Sequence, residues 1–426
     1  MLSIIKNSLI SLYHKLISSI AFYPSIILLG FMLLVGFMLS IEDNSSTKWL
    51  IENAPYLVIN NADTARSILS TMIGGLISLM VFSFSMVMML LNQASSNFSP
   101  RLLPGLISDK RNQFVLGIYL GTIVYNIIVL MTVLPDGNEY TLNGFSILVG
   151  MILGMSCLIA FIYFIHTVSS GIQINNILKS IFSTTKKRLL HVLEQEKQTT
   201  QSDVSNDGWQ TIKSTDAGYY QGVNLEGLLD ICQEKEINLK VFPSNGDYLL
   251  PNVNLFAISK KLDEDEIKVF SSYFIFADSR EISENYTIGI KQITEVGIKA
   301  MSPGINDPGT AVITIDYLTE LLALRMKLGE IEIYQKDNEN FTVQLCPKSF
   351  DDLIYELLAA YRQYCKHDMV LMDKLVSMLN YLLKQPATDD SYHETLRNQV
   401  KIICEDIENY VSNSSDRKRL SAQIQQ

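Results

Sequence analysis

Histidine and cysteine are scarce, five of each in 426 residues, and neither is grouped. His14, His166, His191, His367 and His393 are dispersed, and Cys157, Cys232, Cys346, Cys365 and Cys404 form no C-x-x-C pair. Zinc ribbons and dithiol redox centres need such spacing, so no metal set and no cofactor is expected. Also missing are H-E-x-x-H, a P-loop and G-x-S-x-G, the local signatures of metalloproteases, nucleotide hydrolases and serine hydrolases. His367 and Asp368 are adjacent, but neighbours on a helix face different ways. Ser302 has no histidine close to it in sequence. The expectation is a protein that is not an enzyme.

Charge is the other absence. Four runs, 16–40, 67–91, 114–134 and 144–167, contain no Lys, Arg, Asp or Glu, and His166 is their single group that titrates near neutrality. Each exceeds the roughly 20 residues that cross a bilayer core. The mean hydropathy of +0.18 is correspondingly high. The first run is too long for a secretory signal core and lacks a small-residue cleavage site, so it counts as a span. Buried carboxylates or lysines mark proton relays and ion-coupled carriers. Their absence weighs against a secondary transporter and leaves room for a passive pore built from several subunits.

Basic residues are retained on the cytoplasmic side of such proteins. Lys6, Lys15, Arg101, Lys110, Arg111, Lys179, Lys186, Lys187 and Arg188 fall on one side of the four spans, against Lys48 and Arg66 on the other. The pattern predicts a multi-pass protein of the cytoplasmic (inner) membrane with both termini in the cytoplasm. Reduced thiols are expected there. The chain is net +4 up to residue 190 and −14 beyond it. That acidic cytoplasmic part disfavours nucleic acid and an anionic leaflet as its partners.

In the second run, Thr71, Ser78 and Ser85 repeat every seven residues, with Ser67 and Gly74 on the same helical face. Small and hydroxylated stripes let helices approach closely, and a water-filled pathway uses the same residue types. Asn126 in the third run adds a further candidate lining residue. Gly117-x-x-x-Gly121 and Gly150-x-x-x-Gly154 suggest tight helix pairing. More small-residue surface than four helices need points to a homo-oligomer in the bilayer.

Two longer motifs follow. "NQASSNFSPRLL" begins just past the second run, and "MSPGINDPGTA" occupies 301–311. Together they resemble the bacterial membrane-protein family catalogued as domain of unknown function 2254. Matching positions are Ala94, Ser95, Ser96, Phe98, Ser99, Pro100, Arg101, Leu102 and Leu103, then Ser302 to Pro308, Thr310 and Ala311. Phe164-Ile165-His166, Ile172-Gln173 and Gly246-Asp247-Tyr248 also fit. Asn97 stands where glutamine is usual, and "SENYTIGI" replaces a segment that normally carries a Gln-Asp pair. The resemblance implies the four-span layout and a membrane address, and carries no activity.

The predicted organisation is an α-helical membrane protein: a four-helix transmembrane domain (1–170), an amphipathic juxtamembrane helix (171–197), a polar linker (198–213), a cytoplasmic α/β lobe (214–345) and a C-terminal helical region (346–426). In the juxtamembrane helix, apolar residues fall at 174, 177, 178, 181, 182, 189, 190 and 193, and it either couples the two parts or packs on the second. Asn245-Gly246 is a turn signal. Around 301–311, proline disfavours a helical residue before it, Asn306 or Asp307 is placed to cap a helix starting at Pro308, and Gly329 is placed to close it. That explains a helix–turn–helix corner, while Ser302, Gly304, Asn306, Asp307 and Thr310 remain candidate ligand contacts, as do Ser95, Ser99 and Arg101 in the loop expected to face it. Arg101 and Asp307 are the charged members of the two motifs and are expected to pair.

Three functions are compatible with this pattern: a homo-oligomeric channel-like or permeation-linked assembly with a cytoplasmic sensing domain; a membrane-anchored signalling or scaffold protein without a pore; and a membrane-anchored hydrolase.

Overall fold

All four apolar runs form helices: α1 (Phe22–Ile41), α2 (Ala62–Asn97), α3 (Lys110–Thr132) and α4 (Gly144–Gly171). Each is long and apolar enough to cross a membrane. The computed structural model describes residues 21–41, 59, 61–97, 110–133, 144–171, 173–196, 208–215, 217–277, 285–336 and 341–424. The chain separates into two units, 1–173 and 174–426.

In the first unit α2 starts five residues ahead of its apolar run, because Asn61 Oδ1 accepts from Thr64 N at 2.9 Å and serves the free N–H groups of the first turn. It also runs on to Asn97, so all of "NQASSN" is helical rather than loop. Both G-x-x-x-G motifs are used inside this single chain. A Cβ on Gly117 would lie 3.1 Å from Pro24 Cα, and one on Gly121 would lie 2.5 Å from Phe31 Cγ, so α1 crosses α3 at its glycines. Gly150 accommodates Asn126 and Tyr125 of α3, and Gly154 accommodates Met72 of α2. Arg66 closes the opposite end of the bundle, donating to Val133 O through Nη2 at 2.9 Å.

The second unit opens with α5 (Ile174–Glu196), whose buried face carries Leu178, Ile181, Thr185, Leu189 and Val192. This helix, expected to be juxtamembrane, packs on helices and a strand of its own unit. Leu190, predicted to share the apolar face, is 41% exposed. The strands are β1 (Gln210–Lys213), β2 (Gly218–Val223), β3 (Leu239–Val241), β4 (Tyr248–Leu249), β5 (Asn254–Ile258), β6 (Phe274–Ala277), β7 (Glu332–Tyr334) and β8 (Val343–Leu345). β1 takes the last residues of the expected linker. A five-stranded sheet runs β1-β5-β3-β8-β7 and a three-stranded one β4-β2-β6. β3 and β8 pair in parallel and every other pairing is antiparallel.

Two short helices complete the lobe, α6 (Leu225–Lys235) and α7 (Glu264–Ser271). Asp263 starts α7 with a full capping box to Glu266. Tyr220, Leu228, Leu239, Phe256, Phe270 and Phe274 belong to one buried core. Asn245-Gly246 does turn the chain, with Gly246 at φ +92°. It carries the chain from one sheet to the other instead of closing a hairpin, because β3 and β4 lie in different sheets.

The remaining helices are α8 (Tyr286–Ala300), α9 (Pro308–Arg325), α10 (Phe350–Cys365), α11 (Met369–Leu383), α12 (Ser391–Tyr410) and α13 (Ser414–Ile424). α8 packs on α5, α9 and α10, and α9 packs on α11. The corner therefore belongs to a helical layer, and β7–β8 returns the chain from it to the five-stranded sheet. α9 ends at Arg325 with Met326 as its C-cap, three residues before the expected Gly329. The cause is a tight turn in which Leu328 N donates to Arg325 O at 3.0 Å.

Candidate functional site

α8 is buried on several sides and ends at Ala300, with Met301 as its cap. In the corner that follows, Ser302 O accepts from Ile305 N and Asn306 N, both at 3.0 Å, and Asp307 N donates back to Ala300 O at 2.8 Å. Asn306 adopts φ +48°, a left-handed conformation that asparagine tolerates better than most residues. Of the two proposed caps it is Asp307 that serves. Its Oδ1 accepts from Thr310 N at 3.1 Å and its Oδ2 from Thr310 Oγ1 at 2.5 Å, with Pro308 at the first helical position.

Both carboxylate oxygens are thus engaged within the motif. The negative charge sits at the positive end of α9, where it is favourable. Gly304 is exposed, and a Cβ added there would have nothing within 4 Å. Asp307→Ala is expected to cost about 1 kcal/mol, the usual value of a helix N-cap. Asn306→Gly should leave stability unchanged or raise it slightly, since glycine takes φ > 0 without strain. Thermal unfolding of both variants in detergent checks the pair.

Of the loop expected to face this corner, Ser99 and Arg101 lie outside the described residues, as does any pairing of Arg101 with Asp307. Ser95 falls on α2, where only the helical backbone is described.

The α2 stripe is fully placed. Ser67, Thr71, Gly74, Ser78 and Ser85 are all exposed, and nothing lies within 4 Å of a Cβ on Gly74 or Gly75. Thr71 Oγ1 donates to Ser67 O at 2.7 Å and Ser78 Oγ to Gly74 O at 2.9 Å, so these hydroxyls are satisfied within their own helix. Asn126, proposed as a lining residue beside them, is instead fully buried. Its Nδ2 donates to Thr122 O at 2.9 Å, and its Oδ1 faces Gly150 of α4. Asn126 belongs to the α3–α4 contact because Gly150 leaves room for its amide.

A cavity of about 350 Å³ in the second unit went unrecognised in the sequence. It lies between α5, β2, the N-terminus of α8, β7 and the segment after β8. Arg188 enters from α5, Tyr220 from β2, Asn285 and Tyr286 from the start of α8, and Glu332 and Tyr334 from β7. Burial pushes the phenols of Tyr220, Tyr286 and Tyr334 upward, so all three are neutral donors. Ser244 and Asn245, which line the cavity, directly precede Gly246-Asp247-Tyr248, one of the resembling motifs. Asp247 Oδ2 accepts from Ser244 N at 2.9 Å, and the neighbouring Asn245 O accepts from the Asn285 side chain. Asn285 in turn caps α8 through Thr287 N at 2.8 Å.

The signal for this cavity was present. Arg188 falls at the spacing of Ile181, Thr185 and Val192 on the buried face of α5. A cation on the apolar face of an amphipathic helix is a different object from Lys186 and Lys187 beside it.

A family model described as predicted membrane protein (DUF2254) matches residues 17–381. Uncharacterised proteins of Mycobacterium tuberculosis and Mycobacterium bovis are each 22% identical over 372 residues, covering 83% of this chain and 70% of theirs. No solved structure matches the chain.

Proposed function

The chain belongs to the DUF2254 family of predicted membrane proteins, and from that premise we propose that it is a homo-oligomeric, channel-like or permeation-linked assembly of the cytoplasmic membrane, its second unit a cytoplasmic sensing domain. The observation that carries this is the outward small-residue face of α2. All four candidate spans expose large side chains suited to lipid: Ile26, Leu29 and Leu33 on α1, Phe82 and Met89 on α2, Met131 on α3, and Ile159 and Ile162 on α4. The glycines of the two G-x-x-x-G motifs, Gly117, Gly121, Gly150 and Gly154, are consumed by neighbours in the same chain, whereas Gly30 and Gly36 of α1 are open but stand singly among large apolar side chains. α2 alone presents a run of Ser, Thr and Gly with no neighbour at Gly74. In lipid such a face is expected where another helix approaches closely or where water is admitted. A second copy of this chain supplies the same face by symmetry. The lack of Lys, Arg, Asp and Glu within the four apolar runs suits a passive pathway rather than an ion-coupled carrier.

Gly74→Leu is expected to abolish self-association while leaving the fold of the single chain intact, because the added side chain meets nothing within it. Gly121→Leu, by contrast, should lower stability. Cysteine placed at Ser78 should crosslink between copies in membranes under mild oxidation, and cysteine at Ile159 should not. Potassium or chloride flux from liposomes loaded with wild-type protein, lost in the Gly74→Leu variant, completes the test. A monomer with no flux would leave a membrane-anchored scaffold as the better description.

A further inference from the structure

We propose that the 350 Å³ cavity of the second unit binds a small organic anion, a carboxylate or phosphate carried on an apolar or planar body, with Arg188 as its charged anchor. Four observations converge. No hydrogen bond or ion pair reaches Arg188 among the described residues, and its Nε is buried without a partner. Arg188 is half-buried, an Nε–H withdrawn from water and left unpaired is costly, and a carboxylate or phosphate is the group whose geometry a guanidinium matches. Tyr286 is 4% exposed, lines the cavity, and its hydroxyl also has no partner. It is a ready donor to an anionic oxygen.

The third observation is the position of α8. Its cap Asn285 and its first residues form one wall, which adds the positive end of a 15-residue helix dipole. The last is the remaining surface. Val192, Val223 and Leu345 provide apolar contact, Tyr220 and Tyr334 provide ring faces, and the volume falls in the range of small-molecule sites.

The charge balance permits an anion. Glu332 is the carboxylate on this wall, and its Oε2 already accepts from Tyr334 Oη at 2.9 Å. Lys348 also lines the cavity, although it is ion-paired with Glu356. Occupancy would act directly on α5, which carries Arg188 and starts at Ile174, three residues after the last candidate span ends at Gly171. A sensing role for this site therefore rests on the proposal above, but binding itself does not. Anion protection without self-association or flux would retain the site and remove the pore.

The test uses the full chain in detergent, with thermal unfolding followed in inorganic phosphate, phenyl phosphate or benzoate against sodium chloride of equal ionic strength. Saturable protection is expected, strongest with the two ring-bearing probes. Arg188→Gln should weaken it about tenfold or more, the scale of a lost charge-assisted bond. Tyr286→Phe should weaken it several-fold without lowering the melting temperature of the free protein, since the hydroxyl it deletes is unpaired. This second variant keeps the proposal testable if Arg188→Gln fails to fold. Protection no greater than that of chloride, or equal in wild type and variants, overturns the site. Vesicles of phosphatidylcholine with and without phosphatidylglycerol separate the sources. If phosphatidylglycerol alone protects, through Arg188 and without an added probe, the phosphate belongs to lipid and the soluble ligand is ruled out.

Discussion

Valine at Gly297 should unfold the second unit or lower its melting temperature by many degrees. Gly297 lies in α8 where α9 and α10 cross it. A Cβ there would fall 2.8 Å from Tyr361 Cζ, and closer still to the Tyr361 hydroxyl and to Thr314 Oγ1. Neither neighbour can retreat. Tyr361 and Thr314 are both fully buried. Their oxygens are 2.7 Å apart, and Thr314 Oγ1 donates to Ala311 O at 2.6 Å, which leaves the Tyr361 hydroxyl as donor to Thr314. Valine must therefore displace a ring from a filled interior and break a buried hydrogen bond. Overpacking costs roughly 1–3 kcal/mol and an orphaned buried polar group about the same again. The combined loss of roughly 2–6 kcal/mol is a large share of the total stability of a domain. Gly304→Ala is the control, since a Cβ there has nothing within 4 Å, and its unfolding should match wild type. Thermal unfolding of both in detergent, followed by tyrosine fluorescence or circular dichroism, reads the difference. An unchanged Gly297→Val transition would mean that α8 is free to move off α10.

The contrast between these glycines marks how far the sequence could be read. Composition located the four apolar helices, because a charge-free stretch as long as a bilayer is thick is costly to leave in water and too long for most buried core helices. The corner was equally legible. Proline, asparagine and aspartate each act on the backbone within a few residues, so Asp307, Pro308 and the end of α8 followed from local chemistry alone. Gly297 and Gly289 carry no such signature. Their role depends on Tyr361 of α10 and Thr185 of α5, side chains far away in sequence. The same limit hid Asn126, whose amide looked suited to a pathway until Gly150 proved to be its neighbour.

Element ends were missed for a related reason. Gly329 carried the usual C-cap signal, yet α9 stops at Arg325, where Leu328 N turns back to Arg325 O and the buried guanidinium donates to Leu328 O. Likewise Asn245-Gly246 specified a turn but not which sheet the next strand joins. Strand partners are set by long-range hydrophobic contacts such as Tyr220 with Phe274. The candidate cavity combined both kinds of information. Arg188 could be placed on the buried face of α5 by counting, whereas Tyr286 and Tyr334 are brought to it only by the fold.

Arg325→Leu should be the most damaging single substitution that adds no bulk. The wild-type side chain is fully buried at the end of α9. Nη1 donates to Leu328 O at 3.2 Å and Tyr392 Oη at 3.3 Å, and Nη2 donates to Lys348 O at 3.2 Å and Glu330 Oε2 at 3.4 Å. One guanidinium thereby ties the turn after α9, the segment leading into α10 and the start of α12. The partners are themselves committed. Tyr392 Oη donates to Leu328 O at 2.9 Å, and Glu330 Oε1 accepts from Phe350 N at 3.1 Å. Burial pushes the Tyr392 phenol up to about 12, so it remains a neutral donor at working pH. Leucine removes the cation, leaves Lys348 O and Glu330 Oε2 without this donor, and leaves Leu328 O with Tyr392 alone. Removing one member of a buried charged network costs about 3–5 kcal/mol. Arg325→Lys should recover only part of this, since an ammonium cannot span four acceptors placed for a planar fork. Unfolding in urea should show the order wild type, lysine, leucine in midpoint. Leucine at or above the wild-type midpoint would mean that apolar packing replaces the network, and that Arg325 is held there for something other than stability.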